Sequence, residues 1–215
     1  IVVFASVYLL NKGYSNSVIG GSFAVVSILV IATQPFIAAV ADKKNNAEIF
    51  RLIIGFLLTS VAASFGMLSV REASPLLLPL FMVVEYCLLT VQPLINSLAF
   101  IFERYGVRIH FGIARGIGSA VFGIVSVVLG RVVAQVGADV VPAVYLAANV
   151  LLIFVVYYYG KGMNACREAV RETEERPLPL RAFCKKYKRF ILFIAGTIFL
   201  YFAHVIIFNY FIHIA

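Results

Sequence analysis

Six stretches of this chain are long and apolar enough to cross a bilayer, and they follow one another with little between them. They are 18–41, 50–70, 74–102, 113–136, 140–160 and 190–215, and a shorter apolar run covers 1–10. Residues 18–41 hold 24 residues without a charge. At 1.5 Å per residue, each full stretch spans the roughly 30 Å of hydrocarbon in a membrane as a helix. Lipid cannot satisfy exposed backbone groups, which excludes open sheets. The stretches are also too long and too evenly apolar for barrel strands. The chain is therefore expected to be an all-α, polytopic helical membrane protein.

Composition agrees. Apolar residues make up 62% of the 215 positions and charged residues 13%, with a mean hydropathy of +0.99. A soluble domain of this size could not cover so much apolar surface, and a disordered chain would be polar. The three cysteines, Cys87, Cys166 and Cys184, form neither a disulfide framework nor a CxxC metal site. The chain opens on Ile1, and the run 1–10 is half a span. Both ends read as cut, so a piece of a longer protein is expected, with 1–10 the outer end of a truncated helix.

The excess of basic residues has a definite placement. Segments alternate in facing the two sides, and fourteen Lys and Arg fall in or beside loops two, four and six. Three fall at loops one, three and five: Lys12, Arg71 and Arg131. The positive-inside rule then puts loops two, four and six in the cytoplasm of a multi-pass protein in the cell (plasma or inner) membrane. The charge needs no nucleic acid to explain it. Loop six, 161–189, is the long one. It carries EAVRETEER and then PLPL, a solvated tether between 1–160 and 190–215.

Polar groups inside a span are costly and call for a reason. Glu85, Gln92 and Asn96 lie seven and eleven residues apart, which puts all three on one narrow face of a helix. That face should meet a cavity or other helices. Glu85 is the one acidic residue well inside any span. It can serve interhelical hydrogen bonding or reversible proton binding. On 113–136, Arg115 shares a face with Ser119 and Ser126, beside a band of Gly112, Gly116, Ala120 and Gly123 that suits close helix packing. Arg115 can snorkel to the near surface or present its planar donor fork to an anion or to substrate hydroxyls. In 190–215, His204 is the central histidine, able to exchange protons in the physiological range. No nucleophile–base pair, phosphate loop or zinc-protease signature occurs, so neither an enzyme, a cofactor nor a metal site is expected.

Several motifs are shared with a known family. QPFIAAVADKKNN, residues 34–46, resembles the loop-two motif of the major facilitator superfamily, with Asp42-Lys43 as its acid–base pair and a role in gating. FGIARGIGS, 111–119, is similar to the fifth-helix segment of the oligosaccharide:proton symporter branch, which includes lactose permease and nucleoside-type permeases. FERYGVRIHFG, 102–112, and the layout of six helices, a long loop and a seventh helix extend the likeness over the whole chain. The resemblance implies an N-terminal six-helix bundle plus helix seven, the first of a second half. It also implies a secondary transporter that carries a small polar solute with protons by alternating access. Arg115 takes the place of a substrate-contacting arginine. Asn96, three residues after Pro93, stands where that branch has an acid. Asn96, Gln92, Ser119 and Arg115 are then expected to bind substrate, and Glu85 and His204 to bind protons. The partners are a small solute, protons and lipid, and the expected state is a monomer. The lost acid and the altered loop-two motif also fit a non-transporting receptor, scaffold or inactive relative.

Overall fold

The computed structural model describes residues 2–43, 46–70, 74–104, 110–166 and 186–214. It is 93% helical and has no strands among the described residues. Among the described residues, seven α-helices follow in order: α1 Val2–Asn11, α2 Asn16–Lys43, α3 Asn46–Ser69, α4 Leu77–Arg104, α5 Phe111–Val136, α6 Val141–Cys166 and α7 Lys188–Ile214. A 3-10 turn, Ala138–Val140, joins α5 to α6. Among the described residues, the spans long and apolar enough to cross a membrane are five, in α2 to α6.

The helices outrun the apolar stretches in places. α2 carries Asp42 and Lys43 within its last turn, and α6 continues through Lys161 to Cys166, into the segment read from sequence as loop six. Backbone hydrogen bonding, not apolarity, sets the end of a helix, so polar flanks extend it into the headgroup region. The central part of loop six lies outside the described residues. The chain forms two compact units, 1–170 and 171–215. The second contributes α7, a single 27-residue helix.

Within the first unit, α3 lies between α4 and α6, and α2 packs on α4. Two apolar clusters hold the helices. One sits at the end marked by loops one, three and five and joins Tyr8 and Leu9 of α1, Ile19 of α2, Met67 of α3, Phe81 and Val84 of α4, and Val141 and Tyr145 of α6. The other sits nearer loops two and four and joins Phe50, Ile53 and Leu57 of α3 to Leu94 and Leu98 of α4 and Val156 of α6. In lipid these contacts act through van der Waals packing, because a hydrocarbon solvent supplies no hydrophobic drive. Close approach is visible at two glycines. A methyl group at Gly66 would come within 3.1 Å of Leu80, and one at Gly160 within 3.1 Å of Phe50.

The α1–α2 connection is fixed by its backbone. Gly13 has φ +89°, the left-handed region that glycine adopts at no cost in side-chain clash. The Gly13 N–H donates to the Leu10 carbonyl and the Tyr14 N–H to the Leu9 carbonyl, at 2.9 and 3.1 Å. That pair of bonds is a Schellman cap on α1. The Tyr14 hydroxyl then donates to the Ser74 carbonyl at 2.7 Å, tying loop one to loop three.

α5 is held differently. It packs through its last turns, where Leu129 is buried, Val133 joins the first cluster and Gly130 lies beside Phe4. The residues 111–125 are exposed within the unit. Its first residue, Phe111, stacks on Phe100 of α4 with ring centroids 6.3 Å apart.

Candidate functional site

The polar face of α4 crosses two levels of the bundle. Glu85 lies eight residues after Leu77, about 12 Å along the helix from its start. Asn96 lies eight residues before Arg104, about 12 Å from the other end. The same helical face therefore meets different neighbours at its two ends. Glu85 is 2% exposed, Asn96 is half-buried and Gln92 is exposed.

At the first level, Glu85 is one of several buried residues with a side-chain oxygen that has no partner. One carboxylate oxygen, Oε2, has no hydrogen-bond partner. On α6, the Tyr145 phenol is buried, belongs to the same apolar cluster as Phe81 and Val84 of α4, and has an unpartnered hydroxyl. One turn further along α6, the Asn149 amide Nδ2 donates to the Tyr145 carbonyl at 2.9 Å. That bond leaves Asn149 Oδ1 without a partner. On α3, Ser60 and Ser64 are fully buried with free hydroxyl oxygens. They sit one turn apart, at the level of Glu85 counted from the α3 end. Such groups are expensive in an apolar interior unless a guest or an alternative conformation partners them.

The second level holds Asn96 and Arg115, both near the loop-four ends of their helices. Arg115 is four residues into α5 and exposed, and its backbone carbonyl accepts a 3.2 Å hydrogen bond from Ser119 Oγ. No hydrogen bond or ion pair joins Arg115 to Asn96, Gln92 or Glu85 among the described residues. A separate polar contact crosses from α4 to α2, where the Tyr86 hydroxyl donates to Thr33 Oγ1 at 2.9 Å. The neighbouring Gln34 Oε1 is buried and unpartnered.

His204 lies on α7, but its side chain is outside the described residues, as are those of Asp42 and Lys43 on α2. The sequence reading passed over Ser60, Ser64, Tyr145 and Asn149. Each sits in an apolar run where a lone polar residue attracts no notice. Their signal is the pairing at four-residue spacing, 60 with 64 and 145 with 149, which places each pair on one face.

These features define an all-α, multi-pass membrane protein that keeps a carboxyl group and several neutral oxygens inside its helical bundle. The chain belongs to the MFS_1 like family, whose sequence profile it matches over residues 1–214. That is a major facilitator relationship, and the family is one of transporters. No curated protein and no solved structure matches the chain significantly.

Proposed function

We propose that the protein is a secondary active transporter of a small polar solute, a sugar, oligosaccharide or nucleoside-like molecule, working by proton-coupled symport and alternating access. The observation that carries this reading is Glu85, a carboxyl shut inside the bundle of a major facilitator chain with one oxygen unpartnered. An ionisable group at that depth is a functional expense, and proton binding is the chemistry that one carboxyl offers. Asn96, Gln92, Arg115 and Ser119 supply amide, guanidinium and hydroxyl groups on α4 and α5 suited to sugar hydroxyls. His204 is the second proton-linked group, and the Asp42-Lys43 pair at the end of α2 takes part in gating. The protein works in the cell membrane, with loops two, four and six in the cytoplasm.

The test is uptake of labelled sugars, oligosaccharides and nucleosides into proteoliposomes under an imposed pH gradient. Gradient-driven uptake that an uncoupler abolishes, and that Glu85→Gln and Arg115→Ala each cut at least tenfold, is the expected result. Uptake indifferent to the uncoupler would overturn proton coupling. Normal uptake by both variants would overturn the site. A panel with no transported member would favour the non-transporting reading, to which the asparagine at position 96 also lends itself.

A further inference from the structure

The seam along which α3 packs on α6 has a register that contacts at both of its ends reveal. At one end, a methyl group at Gly160 of α6 would lie 3.1 Å from Phe50 of α3. Ile53 and Leu57 share the second cluster with Val156 and Leu152. Towards the other end, Ala63 and Met67 of α3 share the first cluster with Tyr145. Numbers rise along α3 as they fall along α6, so the two helices run antiparallel. Counted from Phe50 and Gly160 at equal rise, Ile53 stands level with Val156 and Leu57 with Leu152. The next two levels pair Ser60 with Asn149 and Ser64 with Tyr145, each to within about 1.5 Å along the axis. Phe50, Ile53, Leu57, Ser60 and Ser64 follow at alternating steps of three and four, which keeps them on one stripe of α3. On α6, Asn149 lies eleven residues before Gly160, on the same face, and Tyr145 one turn before Asn149. The ladder therefore has three apolar levels and then two polar ones.

All four polar side chains are shut in: Ser60 and Ser64 are 0% exposed, Asn149 3% and Tyr145 4%. Both serine Oγ atoms, Asn149 Oδ1 and the Tyr145 hydroxyl lack a hydrogen-bond partner. Local bonding does not relieve them. Thr59, beside Ser60, gives its proton to the Gly55 carbonyl at 3.0 Å, a common outlet for a hydroxyl in a helix. Ser60 and Ser64 do not take that outlet. Asn149 Nδ2 is engaged with the Tyr145 carbonyl at 2.9 Å, which leaves Oδ1 as an acceptor. Four oxygens thus stand in two pairs across a packed seam and close no direct bond. One water molecule bridges a separation of that kind, and a buried water needs two to four polar partners. We propose that the α3–α6 seam binds internal water at its two polar levels, bridging Ser60 to Asn149 and Ser64 to Tyr145. Donors and acceptors match. Water donates to Asn149 Oδ1 and accepts from Ser60, while the Ser64 and Tyr145 hydroxyls can each do either. The four groups are neutral, so the ligand is a small neutral hydrogen-bonding molecule and not an ion. The seam is dry and close at its Phe50 end and hydrated at its Tyr145 end, whatever solute the protein carries.

The experiment needs no substrate. The purified protein in lipid nanodiscs is exposed to short X-ray pulses, which turn water into hydroxyl radicals, and oxidised residues are read by mass spectrometry. A buried residue is oxidised quickly only where bound water touches it. Tyr145 is expected to label about fivefold or more faster than Phe50, the buried ring at the dry end of the same seam. Ser64→Val, which fills its level with methyl groups, is expected to bring Tyr145 down to the rate of Phe50. Circular dichroism shows that each variant is folded. Tyr145 labelling no faster than Phe50 in the unaltered protein, or unchanged in Ser64→Val, would overturn the proposal. A second measurement tests the other level. Ser60→Ala, Asn149→Leu and the double variant are unfolded in denaturing detergent. If one bridge joins the two residues, the double variant shifts the midpoint no further than the larger single shift. Additive shifts would mean that they share no bridge, and coupled shifts without labelling of Tyr145 would replace water with direct hydrogen bonds; either result overturns the proposal.

Discussion

Lys12 and Asp139 form a 2.8 Å ion pair that joins the α1–α2 turn to the 3-10 turn before α6. The Lys12 ammonium also sits 5.6 Å from the centre of the Tyr8 ring. The two ends of the pair differ. The Lys12 side chain is 9% exposed and that of Asp139 is 69% exposed, so water and salt screen the pair from one side. Asp139→Asn is therefore expected to cost only about 0.5 kcal/mol, less at high salt. Lys12→Ala also loses the ring contact and the packing of its stem, and should cost more. Unfolding by denaturing detergent at two salt concentrations measures both. Equal losses for the two variants would mean that the ion pair alone matters.

The cap on α1 depends on a backbone conformation and not on space. Nothing lies within 4 Å of a methyl group placed on Gly13, yet φ is +89°. Gly13→Ala should then destabilise by about 1 kcal/mol through conformation alone, and Gly13→Asn by less, because asparagine tolerates that region. If alanine and asparagine behave alike, the left-handed cap is not what holds the turn.

Two other glycines make the opposite case, where space decides. At Gly66 the nearest atoms are the Cδ methyls of Leu80, the far end of a flexible side chain. At Gly160 they are Cγ, Cδ1 and Cβ of Phe50, the root of a ring that is itself buried in the second cluster. Leu80 can turn away, and Phe50 cannot do so without moving its backbone. Gly160→Ala is expected to cost about 1–3 kcal/mol, and Gly66→Ala clearly less. The order of the two in the same unfolding assay is the check.

Glu85 sets stability against function. An apolar residue of similar volume removes a carboxyl that has an unpartnered oxygen inside the bundle. Glu85→Leu is expected to stabilise the protein by about 1 kcal/mol while abolishing gradient-driven uptake. Loss of both stability and uptake would point to a purely structural carboxyl, hydrogen-bonded in a way the fold depends on.

The sequence announces the rods but not their neighbours. Uncharged runs such as 18–41 state that a helix must cross lipid, because no other backbone arrangement of that length is satisfied there. Helical phase puts Glu85, Gln92 and Asn96 on one face. It does not say that the first is buried and the second exposed. That difference arises because the apolar cluster of α1, α2, α3 and α6 packs around α4 at the Glu85 level, and the choice of partner is a property of side-chain fit among helices. Tyr145 and Asn149 were hidden for the same reason. In an apolar helix, one phenol and one amide acquire meaning only once packing has buried them without partners. The Lys12–Asp139 pair spans more than a hundred residues and rests on two loop conformations, neither of which a hydropathy pattern contains.

Arg115 gives the sharpest separation between folding and function. It is exposed on α5, its side chain makes no hydrogen bond or ion pair among the described residues, and α5 is anchored far along the helix at Leu129 and Val133. Removing the guanidinium therefore takes nothing from the packing of the bundle. Arg115→Ala should change stability by no more than about 0.5 kcal/mol. If the guanidinium binds solute, the same variant loses at least tenfold in uptake, and Arg115→Lys recovers little of it, because a lysine ammonium cannot reproduce a planar two-pronged contact. Full rescue by lysine would instead identify a charge that anchors α5 at the headgroups, where either basic side chain serves.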